Sequence, residues 1–179
     1  MNFEFINLEI KDVILIKPNK LEDNRGWFME SYKKSIFKAN GIDCEFVQDN
    51  YSKSDFKVLR GLHFQKNQHA QAKLIRCAKG EILDVAVDLR KNSKTYGKYI
   101  KQKLSDKNNH ILFIPKDFAH GFVTLSKTAE VYYKTSNEYQ ENSQGGIIWN
   151  DEDLNIDWEI DFEPILSNKD KNLPKFKDI

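Results

Sequence analysis

This sequence predicts an all-β fold, an antiparallel jelly roll built as a sandwich or barrel. Three observations lead there. Short segments rich in Val, Ile, Leu, Phe and Tyr recur along the chain, from about residue 13 to residue 149. Polar turn clusters separate them, such as KNS (91–93) and SDKNN (105–109). The alternation of strands with helices that marks a parallel sheet is absent. Many short strands with turn signals between them belong to antiparallel sandwiches and barrels.

The elements follow in order. VILIK (13–17) is a β-branched run and opens the set. A short helix is expected over 32–39, closed by Asn40-Gly41 in left-handed conformation. EFVQDN (45–50) and KVLRGLHFQ (57–65) come next, then QAKLIRC (71–77) and EILDVAVD (81–88). The later strands are GKYIKQKL (97–104), HILFIP (110–115), HGFVTL (120–125), AEVYYKT (129–135) and GIIW (146–149). One more short helix is expected in the tail after 160. Both helices would be peripheral to the sheets. A barrel of this kind can enclose a ligand cavity, so polar residues on an inward face need not be errors.

Length and charge narrow the function. The 179 residues suffice for one domain, 1–179, with a real core. Lys and Arg total 28 against 27 Asp and Glu, so no net field points to nucleic acid or a membrane surface. Any anion must be held by a few placed cations. No apolar run approaches the ~20 residues of a membrane span. The N-terminal MNFEFINLEIKDVILI lacks the order of a secretion signal. Cys44 and Cys77 make no CxxC and no disulfide framework, so a cytoplasmic protein is expected.

Period-2 alternation assigns faces. Leu59, Gly61, His63 and Gln65 share one, and Val58, Arg60, Leu62 and Phe64 the other. Gln71, Lys73, Ile75 and Cys77 align, as do His120, Phe122 and Thr124, and Val131, Tyr133 and Thr135. His63 is either a structural histidine or a general base, the role its chemistry suits near neutral pH. Lys73, between apolar neighbours, is either a surface lysine or a buried ammonium for a developing oxyanion. Arg60 is a rim ion-pair partner or a phosphate fork. Tyr133 and Tyr139 are packing aromatics, or a proton donor and a stacking platform. With Gln at 65, His63 and His120 are a poor metal-ligand set, and no metal is expected. No phosphate loop, Rossmann fingerprint or nucleophile elbow is present.

Several longer blocks carry a resemblance. DNRGWFMESY (23–32), FVQDNYSKS (46–54), VLRGLHFQ (58–65), QAKLIRCAKGEILDVAVDLRKNSKTYG (71–97), FIPKDFAHGFVTLS (113–126), VYYKTSNEY (131–139), IIWNDEDLNIDW (147–158) and LSNKDKNLP (166–174) resemble the dTDP-4-dehydrorhamnose 3,5-epimerase family. The resemblance implies a cupin-like jelly-roll homodimer without cofactor or metal. It also implies epimerisation at C3 and C5 of dTDP-4-dehydro-6-deoxy-D-glucose, giving dTDP-4-dehydro-L-rhamnose. His63 then matches the base, Asp170 the carboxylate that holds its ring, Lys73 the cation at O4 and Tyr133 the acid on the opposite ring face. Arg25, Glu30, Gln48, Asn50, Arg60, His120 and Lys169 match nucleotide-sugar contacts, and Tyr139 would border the base. The N-terminal RGxF-type segment is expected to reach the neighbouring subunit. Gln144 stands where the family often has glutamate, so a different contact to thymine or sugar is expected there. Three other readings compete: a relative that inverts only C3 or only C5 or acts on a related deoxysugar nucleotide, a cupin-like module that binds nucleotide sugar without chemistry, and a metal-dependent cupin.

Overall fold

A computed structural model describes residues 2–179. In chain order the elements are β1 (Phe3–Asn7), β2 (Ile14–Pro18), β3 (Leu21–Asp23), β4 (Gly26–Phe28), α1 (Lys34–Ala39), β5 (Gln48–Asp55) and β6 (Leu59–Gln65). Then come β7 (Lys73–Lys79), β8 (Glu81–Asp88), β9 (Tyr99–Ser105), β10 (Ile111–Ile114), β11 (Phe118–Thr124), β12 (Thr128–Thr135), β13 (Gln144–Gly146) and α2 (Asn168–Lys171). A six-stranded sheet, ordered β1-β2-β10-β7-β12-β5, faces a five-stranded one, ordered β13-β6-β11-β8-β9. Strands within each sheet pair antiparallel. The predicted all-β jelly roll is thus the fold of the chain. No helix among the described residues is long and apolar enough to cross a membrane.

Three apolar layers organise it. Between the sheets, Ile75, Cys77, Leu112 and Val131 meet Ile82, Ala86, Phe118 and Phe122. Outside the five-stranded sheet, Leu83, Val85, Val87, Ala119 and Val123 are covered by Ile147, Leu154 and Trp158 from the C-terminal segment. Outside the six-stranded sheet, Leu74, Ile111 and Phe113 pack with Phe37 of α1 and Ile42. Central strands are therefore buried on both faces, which is why β8 and β10 read as near-continuous apolar runs.

Some expectations need correction. The strand expected at 45–50 is β5 at Gln48–Asp55, paired residue for residue with β12. Its sequence QDNYSKSD hides it, because its inner face lines a polar cavity. The strand expected at 146–149 stops at Gly146, although Ile147 still exchanges backbone hydrogen bonds with Leu62. β1 and the β3–β4 hairpin were not anticipated, since charged residues interrupt their apolar ones. The helix expected over 32–39 begins at Lys34. Gly41 (φ +87) takes the left-handed conformation after it, while Asn40 (φ −108) does not. The tail helix is α2.

Alternation fails at one place that matters. His120 pairs with His63 and Phe122 with Arg60, so Gly61 and Leu62 together oppose Gly121. This bulge shifts the face assignment by one residue. Leu59 and Leu62 both join the outer layer, and Arg60 and His63 both reach the same cavity. The predicted separation of Arg60 from His63 is thereby overturned. Glycine is required here: a Cβ on Gly61 would lie 2.6 Å from the Cα of Gly121.

Candidate active site

At one end of the sandwich the interior is filled by aliphatic side chains. At the other it opens into a cavity of about 330 Å³, the size of a small-ligand site. Alternation delivers its lining: Gln48, Asn50 and Ser52 from β5, Lys73 from β7, His120 and Phe122 from β11, Tyr133 and Thr135 from β12. The bulged β6 adds Arg60 and His63. Ser167, Lys169 and Asp170 close one side.

Asp170 lies 107 residues from His63, yet its Oδ1 is 2.6 Å from the Nε2 of that ring. Ser167 caps α2 by accepting a hydrogen bond from the Asp170 backbone N–H, which fixes where the carboxylate starts. Burial alone would raise the Asp170 carboxyl. Hydrogen bonds from His63, Ser167 and the Gly61 backbone outweigh it and hold the group below its ordinary value. A carboxylate can only accept, so in the neutral ring Nε2 carries the proton and Nδ1 keeps a lone pair. That is the arrangement of a general base with a fixed tautomer.

Tyr133 is opposite Ile75 and Asn50 in the sheet and packs against the inner core. Burial raises its phenol above the usual range, with Arg60 opposing. The hydroxyl is therefore a proton donor throughout the neutral range. Arg60 donates from Nε to Ser54 Oγ (2.9 Å) and from Nη2 to the Lys53 carbonyl (3.2 Å). Gln48 donates to Asn50 and accepts from the Tyr139 backbone N–H. Gln144 Oε1 accepts from the Tyr139 hydroxyl (2.7 Å) and from Lys169 Nζ (2.5 Å). That acceptor is neutral, so Lys169 keeps its whole charge for a ligand.

Eleven of the thirteen residues singled out from the sequence line this one cavity; Arg25 and Glu30 do not. Arg25, at the tip of the β3–β4 hairpin, pairs with Asp23 and is otherwise exposed. Glu30 accepts from Asn2 (2.6 Å). A single chain thus does not bring these two into its own site. Sequence reasoning in turn missed Gln65, Gln71, Phe122 and Thr135 of the lining. It also missed Asp84, whose Oδ2 is 2.8 Å from His120 Nε2. The available signal was an acid inside the apolar run ILDVAV.

Lys73 is buried, and among the described residues its ammonium makes one hydrogen bond, a long one (3.4 Å) to the His63 carbonyl. Burial pushes its ammonium down to about 8 from 10.5, with Asp84 opposing. The sign of the consequence is fixed. Below about pH 8 both folded and unfolded chains hold the proton, and the burial penalty is complete. Between about 8 and 10.5 the folded chain has released a proton that the unfolded chain retains, and the penalty is relieved. Relative to Lys73→Met, the wild type should gain up to about 3 kcal/mol as pH rises through that window. Urea unfolding of both proteins at each end of the window measures this; a constant difference would contradict it.

Comparison with known proteins gives one result. Residues 7–178 match the family model described as dTDP-4-dehydrorhamnose 3,5-epimerase. A dTDP-4-dehydrorhamnose 3,5-epimerase from Shigella flexneri is 50% identical over 174 residues, 97% of this chain and 96% of that one. The crystal structure of the enzyme of that name from Elizabethkingia anophelis superposes with a TM-score of 0.94 at 48% identity, covering 99% of this chain and 98% of that one. A dTDP-6-deoxy-D-glucose-3,5-epimerase from Legionella pneumophila, solved in complex with dTDP-4-keto-L-rhamnose, superposes with a TM-score of 0.96 at 40% identity, covering 99% and 94%.

Proposed function

Since the chain belongs to the dTDP-4-dehydrorhamnose 3,5-epimerase family, we propose that His63, Asp170, Lys73 and Tyr133 invert C3 and C5 of dTDP-4-dehydro-6-deoxy-D-glucose to give dTDP-4-dehydro-L-rhamnose. The C4 ketone acidifies the hydrogens on both neighbouring carbons. Nδ1 of His63 removes one of them, and Asp170 stabilises the imidazolium that results. The electron pair of the broken C–H bond moves into the ring, and the charge comes to rest on O4. The Lys73 ammonium stabilises it in surroundings poor in water. Tyr133 then donates its proton to the other face of the carbon, and delivery from that face inverts the centre. His63 then releases the proton it took and Tyr133 regains one, both through the cavity they line, and repetition at the second carbon completes an isomerisation in which no electrons are gained or lost.

One observation carries this reading: a carboxylate-held imidazole with a free Nδ1 shares a cavity with a buried ammonium and a half-buried phenol. The charge inventory supports it. Among the described residues Arg60, Lys73 and Lys169 form no salt bridge with a carboxylate. Uncompensated cations suit a diphosphate and a developing enolate. Gln48, Asn50, His120, Tyr139 and Gln144 would bind the rest of the nucleotide sugar.

Homodimerisation belongs to the same reading. Leu21, Trp27 and Phe28 of the β3–β4 hairpin are each more than half exposed, and Arg25 and Glu30 lie beside them. Insertion of this segment into a second copy's cavity would cover the apolar residues and bring the two polar ones to a substrate. A cytoplasmic location fits the two free thiols.

Incubation with dTDP-4-dehydro-6-deoxy-D-glucose in deuterium oxide tests the chemistry. NMR is expected to show deuterium at both C3 and C5 of the product. Label at one carbon alone would indicate a single-centre epimerase, and tight binding without label a module that only binds. Sedimentation of the same sample is expected to give a dimer, and a monomer would refute the shared site.

A further inference from the structure

We propose that Asp84 is a positioning residue for this reaction, its two carboxylate oxygens fixing the His120 ring in one tautomer and holding the charge of the Lys73 ammonium. This rests on the reading of Lys73 as the cation at O4.

Asp84 is wholly buried in the middle of β8, where its neighbours on the inner face are Ile82 and Ala86. A carboxylate in such a place is destabilising unless nearby charge and hydrogen bonds offset it. Only one of its oxygens is engaged. Oδ2 accepts from His120 Nε2 at 2.8 Å, while Oδ1 is buried without a hydrogen-bond partner. An ordinary structural acid has its oxygens satisfied, as Asp88 does with Arg90, Ser93 and Thr95. No lysine or arginine among the described residues forms a direct salt bridge with Asp84.

The cation that offsets Asp84 is Lys73. Its paired residues on the flanking strands, Ile114 of β10 and Thr135 of β12, are uncharged. The other titratable groups around the cavity are His63 and Arg60 of β6, His120 of β11, Tyr133 of β12, Tyr139 just beyond that strand, and Lys169 and Asp170 of α2. Asp170 is taken up by His63. Arg60 and Lys169 are cations, and proximity to them can only weaken Lys73's hold on its proton. Burial keeps His120 neutral, against the opposing pull of Asp84. Asp84 is thus the negative charge with an oxygen to spare, and it opposes the loss of the Lys73 proton. Through Oδ2 it also commits the His120 proton to Nε2. His120 Nδ1 is then an acceptor, suited to a sugar hydroxyl and unable to protonate the substrate.

The experiment is the pH dependence of kcat/KM for wild type and Asp84→Asn. In the wild type, activity should fall above about pH 8 as Lys73 loses its proton. In Asp84→Asn that alkaline limb should move down by about one pH unit or more, roughly a fivefold further loss at pH 8 that approaches tenfold at higher pH. In a Lys73→Arg background, where the charge persists, the Asn substitution should leave the alkaline limb in place. A folded Asp84→Asn with an unmoved limb overturns the proposal. Should that variant fail to fold, carbon-13 NMR of the wild type decides. The Asp84 carboxyl carbon and the Lys73 Cε should share one inflection near pH 8, and its absence overturns the proposal equally. Full turnover by Lys73→Met would instead overturn the reading of Lys73, and with it the role of Asp84.

Discussion

Asp170→Asn is expected to lower kcat by about 10²–10⁴-fold while KM and the far-ultraviolet circular dichroism stay near wild type. The carboxylate has two tasks at the 2.6 Å contact with His63 Nε2. It accepts the Nε2 proton, and so reserves the Nδ1 lone pair for substrate. It also stabilises the imidazolium once a carbon-bound proton has arrived. An amide in its place loses the charge outright. If its NH2 turns to the ring, Nε2 becomes the acceptor, the ring proton moves to Nδ1, and no lone pair is left facing the substrate. Both effects act on proton abstraction, the step common to C3 and C5. Deuterium exchange at both carbons should therefore fall in parallel with product. The substitution is nearly isosteric, and the Ser167 cap of α2 uses the backbone of residue 170, so the fold should persist. A kcat within tenfold of wild type, or exchange surviving at one carbon only, would remove Asp170 from its role.

That contact shows what the sequence could and could not reveal. Strands buried on both sides, such as β8 and β10, are legible because apolar content alone marks them. Lys73, His120 and Tyr133 fall on inward faces by simple alternation, since the irregularity between β7 and β12 lies at the far end of the pair, beyond Cys77 and Val131. β5 was misplaced because a strand that lines a wet cavity on one face and solvent on the other has no apolar face to betray it. Arg60 was assigned to the wrong face because a bulge at Gly61 and Leu62 resets the alternation, and bulges depend on the partner strand. Asp170 could not be paired with His63 by local reading, since a four-residue helix brings it in from 107 positions away. Only the resemblance supplied that link. Arg25 and Glu30 came from the same source, and one chain gives them no place at the cavity.

Tyr133→Phe should separate what Asp170→Asn removes together. The phenyl ring keeps its packing against the inner core, so only the hydroxyl is lost. Product formation is expected to fall about 10²–10⁴-fold, the worth of a positioned acid. Exchange of the C3 and C5 hydrogens into recovered substrate should stay within about tenfold of wild type. His63 still abstracts, and Lys73 still stabilises the enolate. The proton then returns from the imidazole to the face it left, so configuration is retained. Label enters because the His63 side chain is 28% exposed and its proton can exchange with solvent before return. The acid on the other face has no such substitute, because phenylalanine places no O–H group there. Exchange lost in step with product would mean that Tyr133 is needed to form the enolate. Product formed at the wild-type rate would mean that some other group protonates the far face. Either outcome would break the two-sided mechanism at the point where it differs from simple proton exchange.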